Sequence, residues 1–226
     1  MDYMKEIKWV LFPLAVLLIG LILTMLMFID AEGTELRLRA TKSVYVWSGE
    51  TSTNYSASNM NKANFGVASL EYQGFCEFDL SSIPAGSTID SAFWKIYSSN
   101  DSSSGTGNDT LWLYRNTASW VEATITWATR PAEGDSIARD SMPYFGTDAY
   151  YIVKEYGATN SGMKQWLQNI VDGTWTNYGF RVRNKTNEGN AMVAWQDRTN
   201  TNPDSLIVYY TAGAGGAKPK AKAKHK

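Results

Sequence analysis

Arg181 and Arg183 stand two residues apart in an alternating run, Tyr178–Arg183, whose other face carries Tyr178, Phe180 and Val182. With the apolar face turned inward, the two guanidinium groups project outward, and guanidinium forks grip carboxylates through paired N–H donors. Trp195 alternates opposite Met192 and Ala194, and Arg198 follows in the next loop. Nearer the N-terminus, Lys42 and Trp47 belong to a strand-like run, with Tyr55 and Lys62 in the loop beyond. Aromatic faces can stack on the C–H surfaces of sugar rings, and acid-bearing sugars additionally require Lys or Arg. The expected chemistry is non-covalent capture of a ligand by some subset of Lys42, Trp47, Tyr55, Lys62, Arg181, Arg183, Trp195 and Arg198. The competing reading makes each an ordinary outward residue or an edge-strand charge that discourages aggregation.

Covalent catalysis finds few candidates. The single histidine, His225, stands next to the C-terminus, so a Ser-His-Asp triad, a Cys-His pair or a histidine-ligated metal has no histidine within the folded part. Glu71, Glu77 and Asp79 lie on or near strand-like runs and read as solvated faces, not as a glycosidase pair. No tyrosine is set apart by spacing as a lyase base. No catalytic residue and no cofactor are expected. A structural calcium ion remains open, because Asn100-Asp101-Ser102 and Asn108-Asp109-Thr110 are oxygen-rich, although neither has EF-hand spacing. The lone cysteine, Cys76, cannot form an internal disulfide and alternates as a buried, inert thiol would. Asn-x-Ser/Thr sequons occur at Asn54, Asn100, Asn108 and Asn184.

The elements that must position these side chains are mostly strands. Nine Trp and thirteen Tyr are interleaved with Ser, Thr, Asn and Gly, and short alternating runs separated by turn clusters describe an all-β sandwich or barrel. Strands are expected at 35–39, 43–47, 68–72, 75–80, 88–97, 110–115, 124–127, 150–153, 178–183, 191–196 and 206–210. Residues 98–110 form a polar loop. In 160–171, Met163, Trp166, Leu167 and Ile170 recur at helical spacing, and Gly173 offers a stop. This short helix is expected to cap one open end of the sandwich.

Residues 9–29 carry no charged side chain, a length sufficient for a membrane-spanning helix. Lys5 and Lys8 precede the run, while Asp30, Glu32 and Glu35 follow it, so residues 1–8 are expected in the cytoplasm and the rest outside. A cleaved signal is disfavoured by the length of the apolar core and by Ile29 where a small residue is wanted. The exported domain is expected over 30–212. Residues 30–217 hold 14 basic and 20 acidic groups, which argues against nucleic acid as a partner of the folded part. The closing segment, 213–226, is Lys-rich and lacks a core, so it should be a flexible cationic tail. It could bind anionic polymer or lipid head groups, or serve only to solubilise.

Several stretches, taken in order, resemble the DNRLRE-type domain of secreted and surface proteins. They are Val44-Tyr45-Val46, Thr53-Asn54-Tyr55-Ser56, Phe78-Asp79-Leu80-Ser81-Ser82-Ile83-Pro84 and Ile89-Asp90-Ser91-Ala92. Ser119-Trp120-Val121-Glu122-Ala123-Thr124-Ile125-Thr126-Trp127, Arg130-Pro131, Asn177-Tyr178-Gly179-Phe180 and Asn202-Pro203-Asp204-Ser205-Leu206 complete the set. The resemblance covers residues 40 to 211 and implies a jelly-roll sandwich. It also implies kinship with carbohydrate-binding modules, some of which bind alginate. Most of these residues have a scaffold role: Phe78 and Leu80 point inward, Trp120 and Trp127 pack in the core, and Pro84 and Gly86 set a turn.

The expectation is a single-pass surface protein whose non-catalytic β-domain binds an extracellular or envelope polysaccharide. The alternative is a structural subunit of a surface layer, filament or virion that self-associates through the same sandwich.

Overall fold

The computed structural model describes residues 33–65, 70–98, 109–142, 149–153, 162–184 and 192–213. Contacts divide the chain between Glu32 and Gly33, and every described residue belongs to the second unit. The apolar run at 9–29, most of the polar loop after residue 98 and the cationic tail lie outside the described residues. Among the described residues, no helix is long and apolar enough to cross a membrane.

The fold is mostly β and barrel- or sandwich-like. Its strands are β1 (Thr34–Trp47), β2 (Met60–Phe65), β3 (Glu71–Phe78), β4 (Thr88–Ser98), β5 (Asp109–Asn116), β6 (Glu133–Met142), β7 (Ala149–Val153), β8 (Phe180–Asn184), β9 (Met192–Gln196) and β10 (Ser205–Thr211). One helix, α1 (Met163–Val171), lies between β7 and β8. Hydrogen bonding runs β1-β10-β4-β9-β2-β3, and a β1–β3 pairing closes that path into a ring. From β3 the sheet continues through β8 and β5 to β6, while β7 pairs with β4.

The two runs expected at 35–39 and 43–47 are halves of one strand. Thr34 to Arg39 pair with β10, the register shifts between Ala40 and Lys42, and the remainder pairs with β3. An irregularity of this kind bends a strand and lets it serve two parts of a sheet. Strand β4 keeps the expected alternation: Ala92, Trp94 and Ile96 are fully buried. The run expected at 124–127 is not a strand but a pair of turns, because Thr126 and Thr129 bond each other's backbone and side chains. Strands β2 and β6 escape a reading by pattern, since MNKANF and EGDSIARDSM contain few apolar residues.

The main core gathers inward side chains from around the ring. Trp94 meets Trp195 edge-on at 5.2 Å and Phe180 at 5.4 Å, and Trp166 of α1 meets the same Phe180 at 5.6 Å. Met163, Trp166 and Leu167 form the buried stripe of α1, which is tied to β4 as Ile89 N–H donates to Gln168 Oε1 at 2.7 Å. Gly173 holds φ +73 just past the helix, a conformation open to glycine that turns the chain back. A smaller core of Val44, Val46, Phe75, Trp120 and Ile125 lies on the other face of the β1–β3 ladder, with Tyr55 and Trp127 packed against it. Residues 119 to 131 thus cover the face on which outward residues were expected to meet solvent.

Candidate functional site

That cover decides the fate of the cations chosen from sequence. Lys42 Nζ lies 2.9 Å from Glu77 Oε1 and donates to the Trp120 carbonyl at 3.1 Å. Arg198 forms a fork on Glu122, with Nε to Oε1 at 2.9 Å and Nη2 to Oε2 at 2.5 Å, and these bonds raise its pKa. Ser43 N–H donates to the same Glu122 at 2.8 Å. Lys42 and Arg198 therefore clamp the 119–131 segment to the sheet.

Trp195 corrects the expectation of an outward indole. It is completely buried. A Cβ on Gly74 would sit only 2.5 Å from Trp195 Cη2, so the indole fills the gap left by that glycine across the barrel. Its alternation opposite Ala194 is real, but both faces of β9 are covered, since Ala194 is buried too.

Trp47, Tyr55 and Lys62 do come together. The Trp47 and Tyr72 rings stack at 5.4 Å, Tyr45 and Tyr55 at 4.5 Å, and Lys62 Nζ sits 5.3 Å from the Tyr45 ring and 5.7 Å from the Tyr72 ring. Tyr55 Oη donates to Glu50 at 2.8 Å. The rings spend their faces on one another, and the Gly49 backbone lies against the Trp47 indole. What this cluster offers a ligand is edges, hydroxyls and one ammonium, with no free indole face on Trp47.

Arg181 and Arg183 also share a face, as their spacing requires, but that face is the covered one. Arg181 is only 3% exposed, which corrects the expected projection into solvent. Arg183 makes a bidentate pair with Glu71, Nε at 2.5 Å and Nη2 at 3.1 Å, and Nη1 reaches Glu133 at 2.6 Å. Burial opposes its charge, but the bonds to Glu71 and Glu133 prevail and raise its pKa. Arg181 donates to the Pro131 carbonyl and, at 3.3 Å, to Gln73 Oε1. Its Nε is buried without a partner. Burial pushes Arg181 down to about 10, still well above neutrality, so it keeps its charge.

These two arginines form the floor of an open recess of about 390 Å³, lined by Gln73, Arg130, Pro131, Glu133, Arg181 and Arg183. Arg130 lies 3.7 Å over the Trp127 ring and donates to the Trp127 carbonyl. Three guanidinium groups thus line a cavity with one lining carboxylate, Glu133, which Arg183 holds at 2.6 Å and Arg181 Nη1 approaches at 4.0 Å, while Arg183 also holds Glu71 behind it. Gln73, Trp127 and Arg130 were not among the sequence candidates. The signal was present in the Arg130-Pro131 pair and in Trp127, which were read as scaffold.

The sequons fare differently from surface sites. Asn184 is 1% exposed, and both Asn54 amide hydrogens are spent on the Glu122 and Ile125 carbonyls. Asn100 and Asn108 lie outside the described residues, as does most of the candidate calcium loops. Among the described residues there is no group of three or more His, Cys, Asp or Glu suited to a metal.

A family model for carbohydrate-binding module family 96 matches residues 34–209. The chain belongs to that family. Every described strand but the last two residues of β10 falls within the matched stretch. No curated protein matches the chain. As a family 96 member, the β-domain is of a carbohydrate-binding and non-catalytic type, and the ring of strands, the covering segment and the arginine recess lie within the matched stretch.

Proposed function

We propose that this module binds an acid-bearing extracellular polysaccharide without altering it, and that the arginine recess receives the polymer's carboxylates. One observation carries the reading: Arg130, Arg181 and Arg183 line an open cavity beside Glu71, which Arg183 holds, and Glu133, which Arg183 holds at 2.6 Å and Arg181 approaches at 4.0 Å, so three guanidinium charges face two carboxylates. Arg181 Nε is buried without a partner, so this guanidinium has hydrogen-bonding capacity that the protein leaves unused. Arg130 lies 3.7 Å over the Trp127 ring and is partly exposed, so its guanidinium can meet a carboxylate or lie against a sugar ring. The Lys62 cluster flanks the same minor core through Tyr55 and adds a further cation along the polymer's path.

In this reading the domain is a jelly roll of the DNRLRE type, held at the cell surface by the apolar segment 9–29 with residues 1–8 inside. Binding and display without chemistry are its whole role. Affinity electrophoresis of residues 34–212 through gels containing polyguluronate, polymannuronate or polygalacturonate tests the binding. An acidic polymer should retard the domain, and the retardation should fade with added salt and with Arg130→Ala. Free migration through every acidic gel would sink the proposal. Alkaline extraction of membranes tests the tether, since a spanning helix keeps the chain in the pellet.

A further inference from the structure

A second recess, of about 520 Å³, opens between α1 and the start of β6. Its volume falls in the range of small-molecule clefts, about 300–1,000 Å³. Its wall differs in kind from the arginine recess. Gln165 and Asn169 stand one helical turn apart on α1, Asp135 and Ser136 come from β6, and Trp175 and Trp166 supply aromatic surface. Gln165 Nε2 donates to Asn169 Oδ1 at 3.0 Å, which fixes both amides and leaves Gln165 Oε1 as acceptor and Asn169 Nδ2 as donor. Asp135 Oδ2 accepts from Arg115 Nε at 2.8 Å, leaving Oδ1 as a further acceptor. The Arg115 guanidinium also lies 4.6 Å over the Trp175 ring, so one residue braces both the carboxylate and the indole. The Trp175 backbone N–H donates to the Asn169 carbonyl at 3.0 Å, which fixes the chain carrying the indole to the end of α1.

We infer that this recess is a second saccharide site, one that takes neutral, hydroxyl-rich sugar rings. Each sugar hydroxyl both donates and accepts, and the recess presents both kinds of partner beside an apolar ring. Among the described residues no lysine or arginine lines it, and the Arg115 guanidinium is already held by Asp135 and Trp175, so a ligand carboxylate would find no free cation to pair with. The two recesses therefore sort ligands by charge, the arginine cleft taking acid groups and the α1–β6 cleft taking uncharged rings. The inference rests on the reading of this module as a saccharide binder, and extends it to a second ligand class.

Isothermal titration of the full chain, held in a detergent without a sugar head group, tests it with cellohexaose, mannohexaose and laminarihexaose as probes. At least one neutral hexamer should bind. Asn169→Ala and Gln165→Ala, which leave the buried stripe of α1 intact, should each weaken that binding about tenfold, the effect of losing a ligand hydrogen bond. Arg130→Ala should leave it unchanged. Binding of a polyuronate with none of the neutral hexamers would overturn this site while leaving the arginine cleft standing. Neutral binding that survives both α1 substitutions, or that disappears with Arg130→Ala, would overturn it as well. Silence toward acidic and neutral polymers alike would overturn both readings.

Discussion

The Cys76 thiol donates to Asp204 Oδ2 at 2.9 Å in the fully buried interior of the barrel. Ser43 and Asn61 lie beside the pair, with Asn61 Nδ2 bonded to Ser43 Oγ. Burial raises Asp204 to about 7, and nearby Asp197 pushes the same way. Burial, then Asp204, holds the Cys76 thiol well above its usual range, so the sulfur stays protonated and donates. An oxidation-sensitive thiolate is not available at this position.

A pH dependence follows from that carboxyl. Its folded pKa lies above the unfolded value of 3.8, so the native state holds the proton between about pH 4 and 7 when the unfolded chain has lost it. Stability from this group is present at low pH and is lost as pH rises through that window. The loss is on the order of a few kcal/mol. Thermal melts of the domain should fall from pH 5 to pH 8, and Asp204→Asn should flatten the slope over this interval. An equally steep decline in the variant would assign the dependence to other groups.

Glu122 holds Arg198 and the Ser43 amide at once, joining the covering segment to β1 and to the β9–β10 loop. Removing the carboxylate strands a buried N–H and unpairs a half-buried cation. Glu122→Ala should lower stability by about 2–3 kcal/mol in urea titrations. Limited proteolysis should then cut first within 119–131.

The arginines of the recess divide into structure and reach. Arg183→Ala breaks a pair whose partner Glu71 is buried, and should destabilise the domain by about 3 kcal/mol. Arg130→Ala loses mainly its stacking on Trp127, worth about 1 kcal/mol or less at a partly exposed site. Equilibrium unfolding of the two variants separates them, and only Arg130→Ala should change polymer binding while leaving the fold intact.

Gly74 exists to receive Trp195. A methyl there would meet the indole at 2.5 Å, closer than carbon atoms tolerate, and the indole has no free side toward which to retreat. Gly74→Ala should cost about 1–3 kcal/mol by overpacking. The paired change Gly74→Ala with Trp195→Phe should recover part of that loss, as chemical denaturation would reveal.

Much of the architecture was legible from local pattern. Alternation in 88–97 identified a core strand because Ala92, Trp94 and Ile96 repeat every second residue, and helical spacing found α1 because Met163, Trp166 and Leu167 line one stripe. Strands β2 and β6 carry no such pattern, because hydrogen-bonded neighbours, not their own apolar residues, define them. Residues 124–127 read locally as a strand because Thr and Trp favour strands, whereas the bonds between Thr126 and Thr129 hold the chain in turns there.

For the site, residue types spoke and placement did not. The alternating runs pointed to a β-rich chain, and the ordered motifs, through their resemblance, to a carbohydrate module, since these depend on what the residues are. Alternation also fixed that Arg181 and Arg183 share a face, because side chains on a strand repeat with period two. Whether that face met water was decided only in three dimensions, by a segment fifty residues away in the chain folding over it. The same long-range packing turned Trp195 inward onto Gly74, set Lys42 and Arg198 to clamping, and brought Arg130 over the recess. Period two names the two sides of a strand, and only tertiary contacts determine which side is outside.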